Sequence, residues 1–334
     1  EKFNIGAEMR FLNDRLTLSG DYFQEVRNNI LWNLSTIPEL VGMPGTDMPP
    51  ANIGKVQNRG YEIELGYNDR IDNFTYWVKG AWSFARNRIN FMDEPNRAYE
   101  WMRRTGRPLN QYYGLTFEGF YNTWDEINDS KRPISQWEGA GLQPGDMKYK
   151  DLNGDGFINS QDMGPIGYSN WPEITYSASF GFSYKGFDMT VLTQGTGHVS
   201  VYFASSAAYP FTADWGPAHR WNLERWTPER YAAGEPISFP RLELSPGAQH
   251  NYQVSDFWVQ NGSYFRIKNV EMGYRFSNSL LANLGLKSCR VYVSGNNLYT
   301  WTRMKYRLDP DARESWGRVM PPMRVFNAGV NLQF

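Results

Sequence analysis

The sequence has 334 residues, enough for one large domain or two ordinary ones, and its net charge of −1 gives no reason to expect nucleic acid as a partner. No run of about 18 apolar residues occurs, which excludes a transmembrane helix. Cys289 is the single cysteine, so an internal disulfide is excluded. The chain begins in mid-pattern without a signal peptide, and we expect it to be a piece of a longer protein.

The aromatic content is high, at 16%, with 13 Trp and 21 Tyr. Aromatic belts at two membrane interfaces, sugar-stacking surfaces or a large soluble β-core would each account for it. The mean hydropathy of −0.61 is typical of soluble proteins. It is equally typical of a membrane β-barrel, because only alternate residues of its strands face lipid and its loops are polar.

Alternating apolar and polar residues predict about nine β-strands. In the first, Phe3, Ile5, Ala7, Met9 and Phe11 alternate with polar or small residues. The other apolar sets fall at 16–22, 61–67, 74–84, 176–184, 187–191, about 264–274, about 288–298 and 326–334. The set at 264–274 changes phase near Lys268 and Asn269, which predicts a β-bulge.

The final strand has one apolar face, to which Ala328 also belongs, and its large side chains are candidates for the lipid face at barrel closure: Phe326, Val330, Leu332 and Phe334. A closed transmembrane barrel needs such a strand, because no backbone edge can stay unpaired in hydrocarbon. The last strand of a soluble β-sandwich also alternates, so this strand alone leaves both architectures open.

The connections between the predicted strands alternate in length. Those at 12–14, 68–73, 185–186 and about 276–287 are short, whereas those at about 27–58, 89–173, 198–262 and 299–323 are long. In an antiparallel sheet all the long connections then lie at one end, as in outer-membrane barrels with short periplasmic turns and long extracellular loops. This favours an antiparallel all-β transmembrane barrel over a sandwich and places the C-terminus in the periplasm. Nine strands cannot close a wide lumen, so the missing N-terminal part should supply the rest.

A twelve-residue segment, Asp151 to Asp162, fits the D-x-[DN]-x-[DN]-G calcium-loop pattern. Its candidate ligands are Asp151, Asn153, Asp155, the carbonyl of Phe157, Asn159 and Asp162. We expect a structural calcium site, or magnesium in its place, of modest affinity (about 10⁻⁴–10⁻³ M). The alternative is an Asx/Gly-rich turn closed by its own hydrogen bonds, and both remain open at this point.

The long loop from about 204 to 261 is rich in aromatic residues, of which four are candidate substrate contacts: Tyr209, Trp215, Trp221 and Trp226. Aromatic faces beside polar groups suit sugar rings. The same residues could instead pack the loop together or contact a partner protein. His198, His219 and His250 show no metalloenzyme spacing, and no nucleophile elbow or phosphate loop occurs, so we expect no enzyme.

Several charged residues, Glu8, Arg10, Glu62, Glu64 and Lys79, alternate with the apolar sets and should face the lumen of a barrel. We expect them to form cross-strand ion pairs in a solvated interior.

In this order along the chain, six motifs resemble those of SusC/RagA-type TonB-linked outer-membrane transporters. They are Asn52-Ile-Gly-Lys-Val-Gln-Asn-Arg-Gly60, Gly106-Arg-Pro-Leu-Asn-Gln-Tyr-Tyr-Gly114, Pro144-Gly-Asp-Met-Lys-Tyr-Lys-Asp-Leu-Asn-Gly-Asp-Gly156 with Pro165-Ile-Gly167, Arg225-Trp-Thr-Pro228 with Phe239-Pro-Arg-Leu242, Tyr264-Phe-Arg-Ile-Lys-Asn-Val-Glu-Met-Gly-Tyr274, and Arg290-Val-Tyr-Val-Ser-Gly-Asn-Asn-Leu298. The resemblance covers essentially the whole chain.

The resemblance implies the C-terminal part of a 22-strand barrel whose N-terminal plug is not in this chain. It also implies a SusD-like surface lipoprotein as partner and TonB-dependent import of an oligosaccharide, or of a peptide as in some members, with TonB engaged through the missing N-terminal region. Two alternatives share some of the same features. A passive porin-like channel would have the barrel pattern, and a soluble calcium-stapled adhesion module would have the Asp-rich loop.

Overall fold

The computed structural model describes residues 1–37, 48–139, 141–204, 208–211, 218–243, 250–277, 281, 285–305, 308–312 and 320–334. Nine long strands, numbered β1 to β9, form one antiparallel sheet in which each strand pairs with the next. We call this sheet the wall. Its strands are β1 (Lys2–Phe11), β2 (Leu16–Trp32), β3 (Ala51–Ile71), β4 (Phe74–Phe91), β5 (Ile174–Tyr184), β6 (Phe187–Gly197), β7 (Tyr264–Arg275), β8 (Ser288–Thr302) and β9 (Val325–Gln333). The predicted antiparallel all-β architecture with about nine strands is confirmed.

The apolar alternates of all nine strands lie on one face of the wall. Phe180 on β5 is directly opposite Val78 on one side and Val191 on the other, and Val330 on β9 is opposite Val291 on β8. Directly opposed residues share a face, so this register joins the apolar sets into one surface. We call it the outward face, and the opposite one the polar face.

The outward face is open to the surroundings. Val78 is 48% exposed, Phe180 43% and Val330 57%. In the described part of the chain neither a second sheet nor a helix layer covers it. Since soluble proteins rarely expose apolar patches larger than a few hundred Å², the β-sandwich alternative is wrong and a lipid-facing surface is the consistent interpretation.

Two aromatic belts border the outward face. The lower belt lies near the short connections and contains Phe74, whose ring centroid is 5.5 Å from Tyr76, 5.8 Å from Phe182 and 6.3 Å from Tyr184. Aromatic rings of this kind are enriched where hydrocarbon meets water.

The upper belt lies towards the long connections. Its rings are Tyr61, Trp82, Phe84, Tyr176, Phe265 and Trp301, with neighbouring centroids 5.0–6.4 Å apart. On β4 the belts are ten residues apart, from Phe74 to Phe84, or about 33 Å along the strand and about 23–27 Å along the membrane normal at a tilt of 35–45°. That separation matches the apolar band of outer-membrane barrels, which is about 25 Å tall.

Short and long connections alternate as predicted, at opposite ends of the wall. The short ones span 12–15, 72–73, 185–186 and 276–287, and the long ones 33–50, 92–173, 198–263 and 303–324. One predicted boundary was wrong: the loop expected at 27–58 is much shorter, because β2 and β3 stay paired as far as Trp32 and Ala51. Strands that leave the membrane no longer need an apolar face, so the alternation ends before the pairing does.

The predicted bulge is confirmed. The pairing of β6 with β7 shifts between Leu192 and Thr193, whose partners are Asn269 and Ile267, so Lys268 is the extra residue. The pairing of β7 with β8 shifts at the same place. The extra residue restores the outward orientation of the apolar side chains on both halves of β7.

The long connections contain short elements of their own. Helices span Trp124–Asn128 and Pro228–Ala232, and 3₁₀ turns span Glu100–Met102, Ser160–Asp162 and Arg220–Glu224. Strand pairs join Gln111–Gly114 with Gly164–Ser169, Phe117–Phe120 with Met147–Tyr149, Ile134–Ser135 with Phe157–Ile158, and Ser200–Tyr202 with Val259–Asn261. None of the described helices is long and apolar enough to cross a membrane.

We predict that Phe180→Arg prevents assembly of the wall in a membrane, because a cation near the bilayer midplane costs about 2–4 kcal/mol. Ser177→Arg is the matched control. Ser177 lies on the polar face of the same strand, opposite Ala81 and Gln194. Heat-modifiable migration of the outer-membrane fraction on gels measures assembly. Equal losses from both substitutions would contradict the assignment of faces.

Candidate functional site

The larger of the two apolar cores formed by the described residues lies in the long loops. Trp258 is fully buried at its centre, with ring centroids 5.0 Å from Tyr209, 5.4 Å from Phe239 and 4.7 Å from Phe257. Leu115 and Met147, also fully buried, complete the centre of the cluster. The long loops beyond the upper belt therefore pack into one assembly, which we call the loop core.

The four aromatic candidates for substrate contact divide as follows. Tyr209 is only 8% exposed and stacks on Tyr252 with centroids 4.0 Å apart. Trp226 is 6% exposed, and Trp221 is half-buried with its ring edge-on to Phe203. Trp215 lies outside the described residues. The burial of Tyr209 and Trp226 favours a role in packing the loops, and substrate contact stays a prediction.

A buried polar network that the sequence motifs did not reveal holds the loop core together. Asp146 accepts hydrogen bonds from Arg241 Nε at 2.6 Å and from Asn251 Nδ2 at 2.7 Å. Asn251 in turn accepts from the Met147 amide at 2.8 Å through Oδ1, and its carbonyl accepts from Trp258 Nε1 at 2.9 Å. An unpaired carboxylate at this depth would be costly, so the network fixes how the loops dock.

Two motifs that are distant in sequence meet at this network. Gly145 has φ of +95°, and a Cβ there would lie 2.7 Å from the ring of Trp226 and 2.8 Å from Arg241. Only glycine combines this backbone conformation with so close an approach. The indole Nε1 of Trp226 donates to Asn122 Oδ1 at 3.0 Å, which fixes the ring over the glycine. The motifs around Gly145, Trp226 and Arg241 are thus parts of one docking joint.

The three histidines have separate partners. His250 is buried, with Nε2 donating to the Met147 carbonyl at 2.7 Å and Nδ1 3.1 Å from Ser135 Oγ. Burial lowers the pKa of His250, so the imidazole is held neutral. His198 lies 3.2 Å from Glu173, and His219 stacks on Trp221. They form no common site in the described structure.

The predicted calcium loop is closed by hydrogen bonds of its own. Asp151 accepts from the amides of Gly154 at 2.7 Å and Gly156 at 2.8 Å. Asp162 accepts from the amides of Leu152 at 2.8 Å and Asn159 at 2.9 Å. The remaining side-chain candidates behave similarly: Asn153, Asp155 and Asn159 accept from the amides of Asp155, Phe157 and Gln161.

These hydrogen bonds close the loop without a cation. Across the described residues no group of three or more His, Cys, Asp or Glu side chains lies close enough to hold a metal ion. The fully buried Asp162 fixes both ends of the loop through backbone amides, as the Asx/Gly-rich turn alternative requires. The calcium or magnesium site stays a prediction.

We predict that Asp151→Ala opens this loop, because two charge-assisted hydrogen bonds to amides are lost at a cost of about 2 kcal/mol. Limited proteolysis between residues 150 and 163 measures the opening. Glu118→Ala is the control, since Glu118 is exposed and has no ion pair among the described residues. A chelator should leave the parent loop uncut. If the parent loop is cut in the presence of chelator and calcium reverses this, the result would support the metal site and contradict closure by hydrogen bonds alone.

A buried arginine fastens the last long connection to the wall. Arg266 on β7 has a side chain only 1% exposed. It donates to Asp309 at 2.7 Å, to Asp311 at 2.8 Å and to Thr300 Oγ1 at 2.8 Å. Its guanidinium also lies over the ring of Tyr264, 4.9 Å from the centroid. The connection between β8 and β9 is therefore held by one cation with two carboxylates.

We predict that Arg266→Met releases residues 308–312, because breaking a buried ion pair costs about 3 kcal/mol or more. Amide hydrogen exchange in that segment should accelerate by about a hundredfold, as that free energy dictates. Arg303→Met is the control, since Arg303 is exposed, belongs to the same connection and has no ion pair in the described structure. Unchanged exchange after Arg266→Met would contradict the clamp.

The polar face of the wall carries the charges expected in a lumen, but not the expected pairs. Arg10 pairs with Glu8 on the same strand, at 2.8 Å. Glu62, Glu64 and Lys79 form no ion pair within 4.0 Å among the described residues, so the expectation of cross-strand pairs was wrong for them. Cross-strand pairing occurs instead at Arg290 on β8, which lies 2.9 Å from Glu271 on β7 and also binds Asp188 on β6.

The barrel-closure candidates all lie at the end of the sheet. Phe326, Val330, Leu332 and Phe334 are exposed, and the first three face outward opposite Gly295, Val291 and Cys289. In the described structure β9 pairs with β8 alone. The fold thus defines a wall segment of an antiparallel transmembrane β-barrel, topped by a packed set of loops.

Comparison with known proteins agrees with this class. No family model matches the sequence. TonB-dependent receptor P3 of Formosa agariphila is 26% identical over 365 residues, which cover 100% of this chain and 34% of that protein. TonB-dependent receptor SusC of Bacteroides thetaiotaomicron is 24% identical over 349 residues, covering 99% of this chain and 31% of that protein. The chain thus spans about a third of the length of these relatives.

Solved structures show the same fold. A structure of the RagAB peptide transporter superposes with a TM-score of 0.72 at 21% identity, covering 100% of this chain and 35% of that one. A RagAB structure in the "closed-closed" state gives 0.71. Together with the whole-length sequence matches, these comparisons confirm the resemblance to SusC/RagA-type TonB-linked outer-membrane transporters.

Proposed function

We propose that this chain is the C-terminal barrel portion of an outer-membrane importer that depends on TonB and takes up an oligosaccharide together with a SusD-like surface lipoprotein. One observation carries the proposal. The nine strands share a single apolar face, bordered by two aromatic belts at the spacing of a membrane. The whole-length similarity to TonB-dependent receptors supports the same conclusion.

The lengths of the connections support one orientation in the membrane. Outer-membrane barrels have short periplasmic turns and long extracellular loops. The connections 12–15, 72–73 and 185–186 would then face the periplasm, together with the C-terminus. The loop core would face the outside, where a substrate arrives.

Energised transport needs parts that this chain does not span. Its relatives are about three times as long. A plug and a TonB-interacting segment would come from the remainder of the protein. The polar face with Glu62, Glu64 and Lys79 would line a wet path that the plug closes until TonB acts.

An oligosaccharide is the first candidate substrate. Tyr168, Trp171 and Tyr231 expose their rings on the long loops, where the C–H faces of sugars could stack on them. A peptide is the second candidate, because the superposed RagAB structures are described as those of a peptide transporter.

A lipoprotein lid would bind to the same side. Large apolar side chains are exposed on the long loops, among them Trp124, Leu223 and Met323. Surfaces of this composition are typical of protein interfaces. Co-purification of the full-length transporter from outer membranes would identify the partner.

The decisive experiment measures uptake of labelled oligosaccharides and labelled peptides by cells that lack the full-length gene, lack TonB, or have both. Uptake of one class should fall to background after either loss and return with the full-length gene. Uptake that persists without TonB would favour the passive channel. Recovery of the protein in the soluble fraction would contradict the membrane assignment altogether.

A further inference from the structure

Three arginines stand on the outward face just beyond the upper belt. On β3, Arg59 lies two residues beyond the belt residue Tyr61, towards the long connections. Arg86 and Arg88 lie two and four residues beyond Phe84 on β4. All three side chains are exposed. They point away from the polar face, because Arg59 and Arg86 continue the outward alternation of Tyr61 and Phe84.

Two of these charges have no counter-charge in the described part of the chain. Arg59 is directly opposite Arg86, an arrangement of like charges that destabilises a sheet. Arg86 is neutralised by the buried Glu173, to which it donates two hydrogen bonds of 2.7 and 2.6 Å. Arg59 and Arg88 form no ion pair among the described residues. Their Cβ atoms are diagonal neighbours, about 7–8 Å apart.

Their height relative to the belt fits the headgroup layer. Two residues correspond to about 6.6 Å along a strand, or about 5 Å along the membrane normal at a tilt of 45°. A headgroup layer is about 5–7 Å thick on each side of the hydrocarbon. Arg59 therefore lies within it. Arg88 is about 9 Å above the belt, with its guanidinium beside Gly106 of the loop after β4, and its long side chain has to turn downwards from there to reach the layer.

We propose that Arg59 and Arg88 bind the phosphate of a phosphorylated glycolipid in the outer leaflet, whose acyl chains lie on the apolar band below. Guanidinium groups bind phosphate oxygens with two parallel hydrogen bonds, and clusters of basic residues at the headgroup level attract anionic lipids. The Arg86–Glu173 pair leaves these two arginines as the uncompensated charges of the three in the described structure. This inference depends on the proposed orientation, in which the upper belt faces the outer leaflet.

The lipid is favoured over a protein partner by the continuity of the surface. Below Arg59 the outward face passes without interruption into the aromatic belt, through Tyr61 and Trp82, whose rings are 5.0 Å apart. A ligand with a phosphate head and an apolar body matches this surface, because its phosphate would meet the arginines while its body lies against the aromatic belt and the apolar band below.

The test uses the full-length transporter in detergent and native mass spectrometry with three added lipids: phosphorylated lipid A, dephosphorylated lipid A and phosphatidylglycerol. Arg59→Gln and Arg88→Gln should each lower the affinity for phosphorylated lipid A about fivefold, and the double variant about thirtyfold. Lys79→Gln is the control, because it removes an unpaired cation from the polar face of the same wall. It should leave binding unchanged.

Each other result overturns the proposal. Equal retention of phosphorylated lipid A by all variants would do so, as would equal binding of its dephosphorylated form. Phosphatidylglycerol that binds as tightly, with the same dependence on arginine, would assign the site to ordinary phospholipid instead. Loss of a co-purifying lipoprotein with lipid binding intact would assign it to the lid. The arginine variants should import nutrient as the parent does, so failure of this site is separate from failure of the proposed function.

Discussion

The structure depends on one constraint: in hydrocarbon, every backbone N–H and C=O must find a partner within the protein while every second side chain meets lipid. Pairing fixes the register, and the register fixes the face. A slip of one residue would turn a whole strand inside out. The bulge at Lys268 satisfies this constraint. It gives β7 one extra residue, and the apolar side chains on both sides of that residue still face outward.

The wall and the loops above it differ in where their apolar side chains find contacts. The wall buries little apolar surface within itself, since Val78 and Phe180 are still nearly half exposed, and its apolar face suits contact with lipid. The loops above it bury their own aromatic core around Trp258 and fasten it with the ionic contact between Asp146 and Arg241. The sequences of the loops can therefore change while the wall strands still require alternating apolar residues.

The alternation in the sequence was enough to predict the strands, the segregation of short and long connections and the bulge, because each depends only on period-2 patterns and local turns. The lengths of β2 and β3 were not predictable in this way, because strands surrounded by water carry no apolar stripe. Burial of Tyr209 and Trp226 was equally hidden, since an aromatic ring looks the same in sequence whether it packs a loop or binds a ligand. Asp146 and Arg241 are 95 residues apart, and only the fold reveals that they meet. The Asp-rich loop shows a further limit: carboxylates that could bind a cation can also accept backbone amides, and sequence spacing does not distinguish the two.

Strands β2 and β3 each continue for ten residues past the level of the upper belt. On β2 they run from Tyr22, which lies opposite the belt residue Tyr61, to Trp32, and on β3 from Tyr61 back to Ala51. Ten residues correspond to about 33 Å of strand, or about 23 Å of height at a tilt of 45°. The loops attached there begin on a hydrogen-bonded pedestal, whose pairing shifts register between Arg27 and Leu31, rather than at the level of the belt. In the orientation proposed above, a partner that docks on this pedestal is held well above the lipid headgroups, so it contacts strand ends rather than the membrane surface.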